Sequence, residues 1–222
     1  MQSIDNLTVH SFQTIPYKEA WRWQASLFEE MQSQSKENEY IGHLIFCEHP
    51  PVFTLGKNGQ KENLLVSEER LEKEQIEIFQ TDRGGDITYH GYGQLVVYPI
   101  LDLNKLKIGI REYVDRLEEV IIQTLQSTGI HSGRIKGASG VWIEENRKIC
   151  AIGIRASRAI TMHGLALNVN THLAHFEYIT ACGLEDKETT SIEKEISKKI
   201  VLSEISQEVL KNFISVFELG ER

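Results

Sequence analysis

Cysteine is scarce in this chain, and the few there are follow no pattern. Cys47, Cys150 and Cys182 are odd in number and widely separated, with no C-x-x-C pair. Neither a disulfide framework nor a cysteine zinc site is expected, and reduced thiols in a cytoplasmic protein fit best. Positive charge is also short: 24 Lys and Arg stand against 32 Asp and Glu, a net charge of −8. That is opposite to the basic footprint of a general nucleic-acid binder, so nucleic acid is not expected as a partner. No apolar run approaches the length of about 18 residues that would indicate a membrane span. The stretch Met1 to His10 has no basic start followed by an apolar run, and no signal peptide is expected. Repeats, low-complexity tracts and an obvious linker are absent too, so residues 1–222 are expected to form one domain.

Nucleotide motifs are missing as well. The phosphate-loop pattern needs its lysine after the second glycine, whereas Gly133-Arg134-Ile135-Lys136-Gly137 places it before. The dinucleotide pattern fails at Gly91-x-Gly93, where the sixth position is Val96. His172 and His175 are spaced for one helix face, but no acidic partner completes a metal set, and no metal or cofactor is expected.

What is present reads as a mixture of helices and strands. Leu7 to Phe12 suits a short strand, and Ala20, Trp23 and Leu27 give Tyr17 to Gln34 a helical face. Strand-like runs follow at Ile41 to Cys47, Pro51 to Leu55 and Ile76 to Gln80, with a short helix at Glu68 to Gln75 between the last two. Ile110, Val114, Leu117, Ile121 and Leu125 define a helix from Ile110 to Ser127, with Gly129 where a C-terminal cap belongs. Gly140 to Glu144, Lys148 to Arg155 and Met162 to Val169 read as strands, the first two joined by a turn at Glu145-Asn146-Arg147. Leu184 to Lys199 is charged and reads as surface loop with little core. Ile205, Val209, Phe213 and Phe217 mark a last helix from Glu204 to Phe217. Without regular β-α-β alternation, this is an α+β fold with antiparallel pairing.

One stretch stands apart. Asp82 to Val96 packs Gly84, Gly85, Gly91 and Gly93 with an arginine and a histidine ahead of an apolar, β-branched run. Glycine lets another group approach the backbone, so the stretch reads as a substrate-gripping loop entering a core strand.

A cysteine is the natural nucleophile near neutral pH. Cys47 lies in an apolar strand and reads as a small buried hydrophobe. Period two puts Cys150 on one face with Lys148, Ile152 and Ile154, which again reads as core. Cys182, followed by Gly183 and a charged loop, is open to either reading, because its neighbours decide its reactivity. Lys148 is the candidate neighbour, against the alternative of a solvated lysine at a strand end. His90 and His163 each precede a glycine and serve equally well as hydrogen-bonded core residues or as site residues. The basic runs Lys57 to Lys61 and Arg155 to Arg158 read as solvated faces.

Taken jointly, Arg83-Gly84-Gly85-x-x-Thr88-Tyr89-His90-Gly91-x-Gly93-Gln94, Gly140-Val141-Trp142, Lys148-Ile149-x-x-Ile152-Gly153, His163-Gly164-x-Ala166-Leu167-Asn168-Val169, Cys182-Gly183 and Thr190-Ser191 resemble the lipoyl(octanoyl) transferases of lipoate biosynthesis. The likeness runs from about Pro51 to Ser191. Two positions depart from it: Tyr92 and Ala181 stand where the family usually has proline, which alters backbone stiffness rather than reacting groups.

The resemblance implies an α/β sandwich on a mixed, largely antiparallel sheet, like the biotin and lipoate protein ligases. It implies transfer of an octanoyl group from octanoyl-acyl carrier protein to a lysine of lipoyl domains, without ATP. It assigns Cys182 as acyl-thioester nucleophile and Lys148 as the acid/base that lowers the thiol pKa. It assigns the acyl pocket to Arg83, Gly84, Gly85, Asp86, Ile87, Thr88, Tyr89 and His90, with Ala151, Ile152, Gly153, Gly164, Leu165 and Ala166, whose small members leave room for an alkyl chain. The acceptors implied are the lipoyl domains of 2-oxoacid dehydrogenase complexes and the glycine-cleavage H protein, and the chain is expected to act as a monomer. The alternatives are an ATP-dependent lipoate or biotin ligase of the same fold and a non-catalytic acyl-carrier-binding module.

Overall fold

Runs of β-branched and aromatic residues become strands where a pleated surface can be covered, and here they build two sheets. The computed structural model describes residues 2–4, 6–34, 38–180 and 187–220. The strands in chain order are β1 (Gln2–Ile4), β2 (Leu7–Thr14), β3 (Gly42–Glu48), β4 (Val52–Leu55), β5 (Glu77–Gln80) and β6 (Ile87–His90). They continue as β7 (Gln94–Leu101), β8 (Gly133–Ile135), β9 (Ala138–Ile143), β10 (Arg147–Ser157), β11 (Ile160–Asn168) and β12 (Glu188–Thr189). The helices are α1 (Tyr17–Ser33), α2 (Glu68–Lys73), α3 (Leu103–Leu106), α4 (Ile110–Ser127), α5 (Ile192–Ile196) and α6 (Leu202–Val216).

The main, nine-stranded sheet has the order β1-β2-β3-β7-β11-β10-β9-β8, with β12 on β10. Among the described residues, only β2 with β3 and β10 with β12 pair in parallel there. A three-stranded sheet, β5-β4-β6, stands beside it. Every residue of β7 is buried, which makes it the centre of the fold. Its Leu95 and Val97 face the core that α4 and α6 cover, while Val96, Tyr98 and Ile100 face the core beneath α1. Helices on both faces of a mostly antiparallel sheet are the sandwich that the resemblance implies, and they agree with the α+β pattern of the elements. Among the described residues no helix is long and apolar enough to cross a membrane.

Local chemistry explains several boundaries. At the end of α4, Ile130 N donates to Leu125 O and Gly129 N to Gln126 O, with Gly129 at φ +83°; this is a Schellman cap, and it needs a residue that tolerates the left-handed region. Between β9 and β10, Glu144 and Glu145 both have positive φ and Asn146 N donates to Ile143 O. Ile143 pairs with Arg147, so the hairpin turns on residues 144–146, one residue earlier than expected, with its two glutamates in the left-handed region.

The buried residues of α1 are Tyr17, Ala20, Gln24, Leu27, Phe28 and Met31; Trp23 is half-buried at the margin of that face, packed against the core beneath the helix and edge-on against Phe12. Two expectations are corrected. A β-bulge between Lys148 and Cys150 breaks the period-two alternation, so Ile149 and Cys150 both enter the main core. Within Leu184 to Lys199, the described residues 187–199 are not a coreless loop: β12 pairs with β10, and Ile192 is fully buried. One isoleucine in a charged segment is enough to dock it. Leu184 itself lies outside the described residues.

Glycine is obligatory at position 164, where a Cβ would lie 2.1 Å from Val97 O. Gly164→Ala is expected to lower stability by about 3 kcal/mol through overpacking against backbone, whereas Gly133→Ala, which meets nothing within 4 Å, should stay within about 0.5 kcal/mol of the parent. Urea denaturation of the two variants checks the contrast.

Candidate active site

A cavity of about 480 Å³ lies between the glycine-rich loop and a floor made by β10, β11 and β7. The floor carries Ala151, Ile152 and Gly153 from β10 and Gly164, Leu165 and Ala166 from β11. The loop side supplies Arg83 through Thr88 and His90. Lys148 lines the cavity where β10 begins. Tyr89 is the one expected pocket residue that does not line it. Its side chain lies in the small sheet's core with Phe53, and its hydroxyl meets His175 Nδ1 at 2.8 Å.

Arg83 holds the loop in shape. Its buried guanidinium donates to Thr54 O at 2.6 Å, Asp86 O at 2.7 Å, Gly84 O at 3.0 Å and the Thr54 hydroxyl. A guanidinium offers five donors in a fixed fork, so one side chain ties β4 to both ends of the turn. Gly84 N donates to Ile154 O at 2.8 Å, and the position of a Cβ on Gly153 would lie 3.0 Å from Gly84 O. The bare backbone at 153 therefore makes room for the loop, and the bare backbone at 164 for β7. The small residues that leave open space above the floor are the alanines.

A hydrogen-bonded line of side chains crosses the sheet beneath the cavity. His90 Nδ1 bonds Gln94 Oε1 at 2.7 Å, Gln94 Nε2 donates to Asn168 Oδ1 at 2.9 Å, and Asn168 Nδ2 donates to Thr190 O at 3.0 Å. Thr190 Oγ1 then donates to Glu195, which is paired with Arg147. Thr190 N donates to Lys148 O at 2.9 Å, and Ser191 Oγ caps α5 by accepting from Lys194 N. The motif residues Gln94, Asn168, Thr190 and Ser191 thus dock the segment after residue 186 beside Lys148. β9 and β12 both pair with Lys148, through Trp142 and Thr189, so the lysine is held from both edges of its strand.

Lys148 Nζ sits 4.5 Å from the centre of the Trp142 ring, and Lys187 Nζ shares the same ring at 5.1 Å. Burial, with a further push from Lys187, lowers the Lys148 pKa below the usual lysine value, so the neutral amine forms more readily than in water. The Cys47 and Cys150 thiols are buried and pushed up, mainly by desolvation. Cys182 lies outside the described residues. The described residues flanking it, Ile179 on one side and Thr189 on the other, both line the cavity.

Residues 16–214 match the family model described as lipoyl protein ligase A/B catalytic domain. The chain belongs to this family. A Bacteroides thetaiotaomicron protein named Octanoyltransferase is 48% identical over 198 residues, covering 87% of this chain and 87% of that protein. Another of that name from Cytophaga hutchinsonii is 44% identical over 228 residues, covering 96% and 93%. Among solved structures, a bi-partite lipoate protein ligase from Thermoplasma acidophilum superposes with a TM-score of 0.73 at 15% identity, covering 97% of this chain and 85% of that one. That last likeness carries the fold alone.

In this lipoyl protein ligase A/B catalytic domain, His163 has a structural duty that its sequence left open. Its Nε2 meets Asp82 Oδ1 at 2.7 Å, and Asp82 also pairs with Arg155, which ties the start of the glycine-rich loop to β11. The residue sits at φ +63° inside a strand, and its Nδ1 is buried without a hydrogen-bond partner among the described residues. The cavity residues that the sequence did not assign to the pocket include Tyr17, Val96 and Tyr98. Val96 and Tyr98 follow from Gln94 at period two along β7; Tyr17 comes from a distant helix and leaves no such signal.

His49 and His90 are buried and stay neutral, their pKa values pushed down to about 4 and about 3 by desolvation. The unfolded chain binds a proton at each near pH 6.5, so between roughly pH 6.5 and 4 the unfolded state holds more protons, and stability present at pH 7 is lost on acidification. Each group contributes a slope of about 1.4 kcal/mol per pH unit in that window. Urea midpoints at pH 7, 6 and 5 should fall steeply, and His90→Gln should remove about half of the slope that the two together give.

Proposed function

We infer that this chain transfers an octanoyl group from the thioester of octanoyl-acyl carrier protein to a lysine amine of a lipoyl domain, through an acyl thioester on Cys182. The observation that carries the reading is a largely apolar cavity lined by a lysine of depressed pKa and by Ile179 and Thr189, which stand on either side of Cys182 in the sequence. The names of the relatives agree with it.

Neutral Lys148 takes the Cys182 proton, and the thiolate attacks the thioester carbonyl. The carbon–sulfur bond to the carrier breaks, and the Lys148 ammonium protonates the departing thiolate. After the carrier leaves, the acceptor lysine amine attacks the octanoyl-cysteine, giving up a proton to Lys148 that returns to the Cys182 sulfur. Thioester is exchanged for amide, so ATP has no part. Burial of the octanoyl methylenes offers about 0.8 kcal/mol each. The acceptors proposed are lipoyl domains of 2-oxoacid dehydrogenase complexes and the glycine-cleavage H protein, with the chain working as a monomer.

Incubation with octanoyl-acyl carrier protein without ATP, read by intact mass, tests the reading. An octanoyl adduct is expected on the parent and on Cys150→Ser and not on Cys182→Ala; Lys148→Ala should slow transfer by about 10² to 10⁴-fold. No adduct on the parent would overturn the transferase reading, ATP-dependent attachment of free octanoate to a lipoyl domain would install the ligase, and loss in Cys150→Ser alone would move the nucleophile.

A further inference from the structure

Two ammonium groups share one indole. Lys148 Nζ lies 4.5 Å from the centre of the Trp142 ring and Lys187 Nζ 5.1 Å from it. Whichever ring faces they take, the two nitrogens stand within about 10 Å of one another, close enough for each charge to disfavour the other. The ring between them is fixed, because Trp142 is buried and its Nε1 donates to Ala138 O at 3.1 Å.

Lys187 is held at both of its ends. Its Nζ donates to Glu145 O at 2.6 Å, in the turn between β9 and β10. Its backbone leads directly into β12, where Glu188 pairs with Arg147 and Thr189 with Lys148, and Glu188 N donates to Asn146 O at 2.9 Å. The ammonium is thus tied to the same hairpin that carries Trp142 and Lys148.

The other charged groups around Lys148 are engaged elsewhere. On its own strand, Arg147 is bound to Glu144 and Glu195, and the Cys150 thiol is buried. From α4, Glu118 accepts from Gly140 N at 2.9 Å and pairs with Arg134. From β12, Glu188 reaches Lys194 at 3.7 Å, and β9 brings no ionisable side chain. Across the cavity, Arg83 is spent on carbonyl oxygens and the Asp86 carboxylate accepts from Asn63. Glu185 and Asp186 lie outside the described residues. Burial is the larger influence against the Lys148 ammonium, and Lys187 is the one described charge that adds to it.

We propose that Lys187 is a positioning residue for the pair of Cys182 and Lys148: it fixes a second positive charge across the Trp142 ring and so favours loss of the proton that the pair shares. This rests on the transferase reading for the partnership of Lys148 with Cys182. Which of the two gives up the proton first makes no difference, since removing a positive charge beside a coupled pair raises the pH at which either proton leaves. At a separation of about 10 Å, dielectric constants between those of a protein surface and of water give a factor of about 2 to 15 in that equilibrium.

The test follows the rate of octanoyl-adduct formation at limiting octanoyl-acyl carrier protein, from about pH 5.5 to 9, by intact mass. Lys187→Gln should slow acylation about 3- to 10-fold near pH 6, with the loss shrinking as the pH rises, so that the acid limb of the profile moves to higher pH. Lys187→Glu should move it further, and Lys187→Arg, which keeps the charge, should return it to the parent position. Lys211→Gln is the control, because it removes the same charge at an exposed position on α6; it should leave the profile in place. An acid limb that stays put in Lys187→Gln and Lys187→Glu, or a loss equal at every pH, would overturn the proposal, the second being what a lost docking contact or a folding defect gives. Iodoacetamide labelling of Cys182 over the same range, read by mass against Cys182→Ala, follows the same proton without any thioester. A parent that forms no adduct, but whose Cys182 labelling moves to higher pH in Lys187→Gln, sinks the transfer reading and keeps the role of Lys187.

Discussion

The Arg83 guanidinium is the interaction on which the site depends. The turn from Asp82 to Asp86 has to leave the small sheet, cross over β10 and return, and its carbonyls point inward as it does so. A single buried fork of donors satisfies Thr54, Gly84 and Asp86 together. A lysine could not reproduce it, because a point ammonium has neither the planarity nor the number of donors. Loss of the fork would leave several carbonyls unsatisfied in a buried place, each at a cost of about 1–3 kcal/mol. The cavity has a roof because this one charge is surrounded by oxygen atoms.

The second constraint is the way strand edges are used. Lys148 stands where β10 has a neighbour on both sides, and the bulge just after it turns Ile149 and Cys150 together into the core. The lysine is thereby kept at the cavity while the thiol two residues on is sequestered. The line from His90 through Gln94 and Asn168 to Thr190 fixes β12 along that same edge. Polar side chains inside the sheet here set register, a use for which buried hydrogen bonds suit well when each donor finds an acceptor.

Much of this was legible in the residue order, and the reasons differ from element to element. α4 was readable because its apolar positions keep the helical period and Gly129 can take the left-handed cap. β10 was readable as a strand, but its bulge was not, since one inserted residue leaves no mark on composition. Gln24 was not readable as a buried residue, since a glutamine beside a large aromatic looks solvent-facing, whereas the fold buries Gln24 to meet His163 N and leaves Trp23 half-buried at the margin. The pocket residues of β10 and β11 came from motif likeness, and their glycines proved to serve backbone approach. Tyr17 was invisible because it reaches the cavity only through tertiary packing. The departure at Tyr92 has a visible consequence: the side chain is exposed, so the turn is not asked to bury what proline would have stiffened.

The floor residues Ala151, Ala166 and Val96 belong to the same three strands that divide the two main cores, with Cys150, Leu167 and Leu95 on the reverse face. A cavity floor built into the middle of a sheet has no independent adjustment. A substitution on β7 that reshapes this floor also changes the packing of the most buried strand, so cavity shape and foldability vary as one trait.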